Sequence, residues 1–485
     1  MTRAIKAVKR IWEKDSARLT DILYYAAYVI IALSLLFKQP FGNPPDEYNR
    51  FLIPSYIAEH GTLPNGYEEE IRIPGYGFSY AFQPILPYMA QGYAMRLVGL
   101  FTQDAPVLLY TARLVNFLFG LIQAYFVRKL ANLWFSDKRF ATLFCFLVLF
   151  LPQSIFVHTY VNTDSCCMMS IAILLYGLTK GLKGGFDFSS ISSLSVGIIL
   201  CALSYYNAYG FILSAILLFT ASFLSRKEGR LHFAVRDFMR IGGLISILVL
   251  LGIGWWFIRC AVLYDGDFLG LKTRDACASL YALPAYHPAT RVTWQSQGFS
   301  VFDMLTKSDF VTLSGLSFIG IYGPMNIITA LWIYRMYKYL FWCSILIGAI
   351  LSVLRRQELP FLTGRRCMNR FFHANMIFCI LMPCILSVVY SYRIDYQPQG
   401  RYLLPALFPF MLYCTRGLEA IVRTFLDGAK RHKPAAGRLA ESIATGLCSF
   451  LILMVLVSLC VTVYGYAYPV YTLGTDSLDI NAFFR

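Results

Sequence analysis

The chain has 485 residues, of which 57% are hydrophobic, 16% aromatic and 14% charged, and its formal net charge is +16. Soluble domains carry about 25% charged residues, so this composition excludes an ordinary soluble protein and indicates that a bilayer is the solvent. The positive charge would also fit a nucleic-acid-binding protein. Lys and Arg cluster, however, in every second loop between apolar runs, which is the positive-inside pattern of a membrane protein.

The first apolar run extends from Leu19 to Phe37 and is preceded by six Lys and Arg residues. The sequence shows no small-residue cleavage site of a signal peptide, so we expect this run to remain as a spanning helix. The recurrence of such runs predicts an all-α polytopic membrane protein with a bundle of about eleven transmembrane helices. The basic clusters place the N-terminus in the cytoplasm, and the odd count places segment 466–485 outside. The predicted spans are 19–37, 107–127, 140–158, 165–181, 191–206, 208–224, 241–258, 338–354, 371–391, 402–421 and 443–465.

Two segments between the predicted spans are much longer than the rest, namely 38–106 and 259–326, and both are expected outside the cell. Helical patterns within them predict interfacial helices over 46–60 and 314–337. Segment 84–101, interrupted by two prolines, Gly92 and Arg96, is also predicted to be interfacial and not a span. We therefore expect residues 1–485 to form a single transmembrane unit with two long functional external loops.

The first candidate catalytic motif is Asn-Pro-Pro-Asp-Glu-Tyr-Asn-Arg-Phe, which begins at Asn43 just after the first span. Asp46 and Glu47 are adjacent carboxylates at the membrane exit, where an unpaired charge is costly unless it is hydrated. One interpretation is an N-cap for the following helix with a solvated Glu beside it. The alternative is a general base held against the membrane surface.

Three further charged residues are predicted to lie on the same, outer side. Asp164 follows the third span and either begins the fourth helix as its N-cap or contributes a second acid to a site. Arg259 ends the seventh span, and Arg401 precedes the tenth, against the charge bias of the other external segments. Each arginine either reaches to lipid headgroups or binds a phosphate with its planar guanidinium.

Four motifs together resemble the GT-C superfamily of integral-membrane glycosyltransferases, in particular its bacterial members that use polyprenyl-phosphate sugars. They are Pro-Pro-Asp-Glu after the first span, Asn-Thr-Asp after the third, Trp-Trp-Phe-Ile-Arg with Tyr-Asp-Gly-Asp after the seventh, and Gln-Pro-Gln-Gly-Arg-Tyr-Leu-Leu-Pro before the tenth. Protein mannosyltransferases and lipid A aminoarabinose transferases are relatives of this kind.

The resemblance implies roles for individual residues. Asp46 matches the catalytic base of the first external loop, Glu47 is its acidic neighbour, and Asp164 matches a second acid that frames the pocket. The chain departs from the relatives at Arg50, because they usually carry His in that position. The residues implied to bind the donor and its phosphate are Arg259, Arg401, Tyr402, Gln399 and Arg50.

The resemblance therefore implies an inverting glycosyltransferase of a bacterial plasma membrane, which moves a sugar from a polyprenyl-phosphate donor to an external glycan, lipid-linked saccharide or protein. No metal site is predicted, although two or three carboxylates would suit a divalent cation. The alternative function is a transporter or flippase of lipid-linked saccharides. Transporters place ionisable residues near mid-bilayer in broken helices, whereas the acids of this chain lie in predicted outer loops, which favours the enzyme.

Overall fold

The structure is a computed structural model that describes residues 2–227, 230–355, 358–432, 434–474, 478 and 480. In the N-terminal half the helices are α1 (Thr2–Lys38), α2 (Glu47–His60), α3 (Leu86–Gly99), α4 (Ala105–Trp134), α5 (Lys138–Leu149), α6 (Pro152–Val157), α7 (Asp164–Gly184), α8 (Phe188–Ser204) and α9 (Tyr209–Ser222). Short 3₁₀ helices cover Glu69–Ile71, Tyr80–Phe82 and Tyr206–Ala208.

The C-terminal half continues the helical bundle, with a 3₁₀ helix at Pro360–Leu362, a second at Gly400–Ala406 and a π-helical turn at Val461–Ala467. Two antiparallel hairpins pair β1 (Leu224–Lys227) with β2 (Arg230–Phe233), and β3 (Ile321–Tyr322) with β4 (Ile327–Ile328). The helices are α10 (Val235–Leu263), α11 (Leu271–Tyr281), α12 (Val301–Lys307), α13 (Phe310–Gly320), α14 (Leu331–Arg355), α15 (Arg366–Arg393), α16 (Leu407–His432), α17 (Pro434–Cys460) and α18 (Tyr468–Leu473).

Six helical segments of the described ranges are long and apolar enough to cross a membrane, which agrees with an all-α polytopic membrane protein. Each of the other predicted spans overlaps one or two helices, but the count of about eleven stays a prediction. The third predicted span is divided into α5 and α6 at Pro152, which begins the second helix. The six segments are Arg18–Lys38, Ala105–Trp134, Asp164–Gly184, Val235–Leu263, Arg366–Arg393 and Gly437–Leu473.

Both long segments contain helices, as predicted. Segment 38–106 carries α2 and α3, and α3 is a 14-residue helix that is not among the candidate spans. Segment 259–326 carries α11, α12 and α13. The predicted position of the C-terminus stays a prediction, because Arg485 lies outside the described residues.

The predicted continuous helix over 314–337 is wrong. Helix α13 ends at Gly320, the β3–β4 hairpin follows, and α14 begins at Leu331. Gly323 and Met325 flank Pro324 with φ values of 61° and 69°, so the backbone turns in the left-handed region at both positions. A proline between two left-handed residues cannot continue an α-helix, since it has no backbone N–H.

Helix α7 lies at the centre of the bundle, and its 18-residue apolar window is 89% buried. It packs against α4 and α8. The approach to α8 is close because Gly197 faces Leu174, whose backbone a Cβ at that position would overlap. Small residues permit such contacts between membrane helices. Helix α7 also contacts the Gly400–Ala406 segment.

Candidate active site

The turn that joins α1 to α2 presents a carboxylate away from the helix that it begins. Asp46 occupies the N-cap position of α2, as predicted, but its side chain makes no capping hydrogen bond. Its φ of 62° and ψ of 3° are left-handed, a conformation that Asp adopts more readily than most residues. Pro44 and Pro45 precede it and restrict the turn. The carboxylate is thus available for contacts outside α2.

That carboxylate pairs with Arg401, which comes from a point in the chain far from α2. The Arg401 side chain is only 1% exposed, and its Nη2 donates a hydrogen bond to Asp46 Oδ2. Its Nη1 donates to the carbonyl of Pro45 at 3.1 Å. The preceding Gly400 makes this placement possible, because a Cβ there would overlap the backbone of Phe318. The structure therefore brings two predicted site residues into direct contact.

The ion pair sets the protonation of Asp46. Burial raises the pKa of this carboxyl, but the charges of Arg401 and Arg50, together with the hydrogen bond from Arg401, outweigh that effect. The pKa of Asp46 consequently lies below its ordinary value. The carboxylate is ionised at neutral pH, and it becomes a stronger base only when the arginines are drawn away from it.

Asp164 is the second acid of the cluster. It is the first residue of α7, and the N-cap position is occupied by Thr163. The interpretation of Asp164 as the N-cap is therefore wrong by one residue. The residue is 3% exposed, and its Oδ2 atom has no hydrogen-bond partner. Its charge interacts with those of Arg401, Arg50 and Asp46. Two acids and two arginines from three separate segments therefore converge.

Arg50 differs from Arg401 in forming no ion pair with a carboxylate of the described residues. It lies one turn along α2 from Asp46 and is 3% exposed. Its Nη1 donates to Tyr88 Oη at 2.9 Å and to Thr163 Oγ1 at 3.0 Å, and its guanidinium lies 4.6 Å from the centre of the Tyr80 ring. Its Nε has no partner, and no described carboxylate lies within ion-pair distance. A buried guanidinium of this kind is suited to an anionic ligand.

Tyr402 and Gln399 continue the polar network away from Asp46. The Tyr402 hydroxyl accepts a hydrogen bond from Arg401 at 3.1 Å and donates to Gln397 Oε1 at 2.6 Å. Gln397 also accepts from Gln399 at 3.3 Å and donates to Asp395 Oδ2 at 2.6 Å. The chain of hydrogen bonds therefore begins at Arg401 Nη2, the same atom that donates to Asp46. Gln399 Oε1 is buried without a partner.

Glu47 is placed differently from its neighbour Asp46. It is fully buried, and both of its oxygens accept from Arg113, at 2.7 Å from Nε and 2.6 Å from Nη2. The backbone N–H groups of Val161 and Gly42 also donate to it, each at 3.1 Å. Four donors therefore occupy this carboxylate, and the arrangement is that of a structural anchor.

Sequence reasoning did not assign a role to Arg113, although it is an ionisable residue within an apolar span and such residues are rarely without function. Its remaining N–H groups donate to the carbonyls of Leu36, Gln39 and Pro40 at 3.0, 2.8 and 3.2 Å. Together with Glu47 it ties the end of α1, the turn before Asp46 and the segment before Asp164 to α4. Both candidate acids are positioned by this one pair.

Arg259 is not part of the Asp46 cluster. Its Nη2 donates to the carbonyls of Leu63 and Pro64 at 3.2 and 2.8 Å and to Asn65 Oδ1 at 3.2 Å. Among the described contacts it forms no hydrogen bond or ion pair with Arg401 or Asp46. It ties the loop around Pro64 to the end of α10, while its Nη1 is buried without a partner.

Potential metal ligands lie elsewhere. In the described ranges, Glu59, His60 and Glu70 bring one ligand atom each to within 4.8 Å of one another, and all three are exposed. Asp46 and Asp164 do not belong to a group of this kind.

Comparisons with known proteins identify solved structures with a similar fold. No family model and no curated protein matches the chain in sequence. The structure is similar to an oligosaccharyltransferase of Archaeoglobus fulgidus tethered with an acceptor peptide, with a TM-score of 0.50 and 14% identity over 91% of this chain and 55% of that one. The chain thus spans about half the length of that protein.

Two further solved structures are similar at lower scores. The archaeal oligosaccharyltransferase AglB from Archaeoglobus fulgidus, in complex with an inhibitory peptide and a dolichol-phosphate, gives a TM-score of 0.44 with 14% identity over 90% of this chain and 55% of that one. ArnT from Cupriavidus metallidurans, bound to undecaprenyl phosphate, gives a TM-score of 0.44 with 15% identity over 93% of this chain and 76% of that one. The likeness with the TM-score of 0.50 is a likeness of fold, and it agrees with the fold that the resemblance from the four sequence motifs implies.

Proposed function

We propose that the protein is an inverting glycosyltransferase that moves a sugar from a polyprenyl-phosphate donor to an acceptor outside the cell. One observation carries the proposal. Asp46, Asp164, Arg50 and Arg401 converge in one mostly buried cluster, although the chain brings them from three separate segments. Carboxylates beside guanidinium groups suit a reaction that removes a proton and releases a phosphate. The acceptor is a glycan, a lipid-linked saccharide or a protein.

The proposed reaction is a single displacement. An oxygen of an acceptor hydroxyl attacks the anomeric carbon of the donor sugar, and the bond from that carbon to the phosphate oxygen breaks. The bonding electrons leave with the polyprenyl phosphate, while the hydroxyl proton passes to the carboxylate of Asp46. Attack opposite the leaving group inverts the configuration at the anomeric carbon. A positioned carboxylate base typically contributes about 10²–10⁴-fold to such a rate.

Arg50 and Arg401 are proposed to hold the donor phosphate. Arg50 is the stronger candidate, because its buried guanidinium forms no ion pair within the described part of the chain and its Nε–H group has no hydrogen-bond partner there. Arg401 is already paired with Asp46, so a phosphate that enters must compete for it. Arg259, which we also expected to bind the phosphate, would do so only with the N–H groups that its loop contacts leave free.

This competition would couple donor binding to activation of the base. In the free protein Arg401 and Arg50 hold the pKa of Asp46 below its ordinary value, against the effect of burial. A phosphate that shares their charge weakens that effect, so the pKa of Asp46 rises towards its ordinary value. The carboxylate thereby becomes a better proton acceptor only when a donor is present.

The positions of the charged residues also bear on the alternative, a transporter of lipid-linked saccharides. Asp46 and Arg401 lie in segments between the long apolar helices, and Asp164 lies at the first residue of α7. Arg113 is further along its apolar helix, but its charge is compensated by Glu47. Transport through the bundle would favour ionisable groups in mid-span. The arrangement supports chemistry at one end of the bundle.

The test is turnover of the donor. The purified full-length protein is incubated with membranes of cells that lack it, which supply polyprenyl-phosphate glycosides together with lipid, glycan and protein acceptors, and mass spectrometry follows the conversion of the glycosides to polyprenyl phosphate. We expect conversion by the wild type and at least about a 10²-fold slower rate for Asp46→Asn. Asp104→Asn, at an exposed N-cap without a side-chain capping bond, is the matched control and should leave the rate unchanged. Equal rates for all three proteins would contradict the proposal.

A further inference from the structure

A cavity of about 390 Å³ lies beside the end of α10, at the Tyr-Asp-Gly-Asp motif whose purpose the catalytic cluster does not explain. Its volume is within the range of small-molecule sites, about 300–1,000 Å³. One wall comes from the turn after α10, a second from α11, and a third from the loop of segment 38–106. The lining residues are Tyr67, Tyr264, Asp265, Gly266, Asp267, Lys272, Thr273, Ala276, Cys277 and Leu280.

Aromatic rings form the apolar part of this cavity. Tyr67 and Tyr264 meet edge to face with ring centres 6.0 Å apart, and Phe82 packs against both at 5.6 and 5.3 Å. The Tyr264 hydroxyl donates to the carbonyl of Asn65 at 2.8 Å, which fixes its ring. Tyr67 is about half exposed, so part of its ring is open to a ligand. Rigid ring faces of this kind suit the C–H faces of a sugar.

The polar groups of the cavity have complementary roles. Asp267 is already used, because its Oδ2 accepts from the N–H and the hydroxyl of Thr273 at 3.0 and 3.1 Å and so holds the turn. Asp265 and Lys272 are exposed, and neither side chain has a hydrogen bond or ion pair in the described structure. One is an acceptor and the other a donor, and both line the same cavity as the aromatic rings.

This combination selects a class of ligand. A metal cation would find only one uncommitted carboxylate, and a free anion would meet the charge of Asp265. A hydroxyl group both donates and accepts, so neighbouring hydroxyls of one sugar ring satisfy Asp265 and Lys272 together. We propose that the cavity binds a saccharide, and that it is a subsite for a glycan acceptor, a role that rests on the proposed function.

The location fits that role. Tyr286 follows α11 and stacks on Tyr76 with ring centres 4.5 Å apart. Tyr76 in turn lies within electrostatic range of Asp46 and Tyr402 in the catalytic cluster. The backbone of Leu283 also donates to the carbonyl of Gly75 at 2.9 Å. The segment after α11, the helix that forms one wall of the cavity, therefore contacts the loop around Tyr76, and that loop lies near the catalytic cluster.

The experiment measures binding and not turnover. The full-length protein in detergent is applied to an immobilised panel of neutral and charged oligosaccharides, and the tightest binder is titrated against the wild type and three variants. Tyr67→Ala removes the exposed ring, and Asp265→Asn removes the free charge at a left-handed position that Asn also adopts. Asp275→Asn is the control, since it lies on α11 with a carboxylate 66% exposed that pairs with Arg274.

We expect binding by the wild type and the control, and at least about tenfold weaker binding by both cavity variants, because each loses a contact that the sugar needs. A wild type that binds no member of the panel, or variants that bind as well as the wild type, would overturn the saccharide site. Binding of a short-chain polyprenyl phosphate is measured in parallel. If that binding is absent while the cavity variants still lose the saccharide, the proposed function fails and the saccharide site stands.

Discussion

The substitution Glu47→Gln separates an anchoring role from a catalytic one. The carboxylate is fully buried and accepts four hydrogen bonds, two from Arg113 and one each from the backbone of Gly42 and Val161. In the variant an amide N–H group faces at least one of these donors, and the buried charge of Arg113 loses its partner. Removing one member of a buried ion pair costs about 3–5 kcal/mol of stability. We therefore expect a large loss of thermal stability.

The assay is the thermal midpoint of the detergent-solubilised protein, followed by size-exclusion chromatography after heating, together with the rate of donor turnover. Glu69→Gln is the matched control, since Glu69 is an exposed glutamate of the same segment and should keep the wild-type midpoint. Activity of Glu47→Gln should fall in parallel with its stability, because the pair positions both Asp46 and Asp164. A variant with the wild-type midpoint but no turnover would refute the anchoring role and assign Glu47 to the chemistry.

Three further predictions test the site and the topology. Asp46→Asn should abolish transfer, and retained transfer would exclude Asp46 as the base. Its thermal midpoint should stay closer to that of the wild type than the midpoint of Glu47→Gln, because Asn still accepts a hydrogen bond from Arg401. Arg401→Lys should weaken binding of a short-chain polyprenyl phosphate at least about tenfold, since Lys lacks the planar fork, whereas unchanged affinity in both this variant and Arg259→Lys would exclude a phosphate clamp by these two residues. A reporter fused after Arg485 should read as extracytoplasmic and one at position 431 as cytoplasmic; a cytoplasmic C-terminus would mean that one span was miscounted.

Much of the candidate site was predictable, because charged residues at the ends of apolar spans are unusual and indicate a site at the membrane surface. Asp46, Asp164 and Arg401 were assigned to one side of the bilayer from the charge pattern and from the order of the motifs, and the structure brings them together. Their pairing could not be predicted, because nothing in a single sequence joins Asp46 to a residue 355 positions away. Asp46 and Glu47 are adjacent carboxylates, and the local sequence does not distinguish their roles. The structure does, because Asp46 pairs with Arg401 and Glu47 with Arg113.

The fold shows the same division between local and distant information. The long apolar helices and α2 were predicted from periodicity, which depends on neighbouring residues alone. The helix predicted over 314–337 does not form as one element, because Gly323 and Pro324 turn the backbone within an otherwise apolar stretch. A buried partner for Arg113 could have been predicted, since a charge within an apolar helix needs one. The sequence alone does not identify Glu47 as that partner.

The most direct test of the central claim is an experimental structure of the full-length protein with a short-chain polyprenyl phosphate. We predict phosphate density within hydrogen-bond distance of Arg50 and Arg401, with the hydrocarbon chain leading towards the apolar surface of the bundle. The contact between Arg401 and Asp46 should be lengthened or lost in that complex. Phosphate density at Arg259 alone, or a lipid that leaves the Asp46–Arg401 pair and the Arg50 guanidinium untouched, would contradict the account.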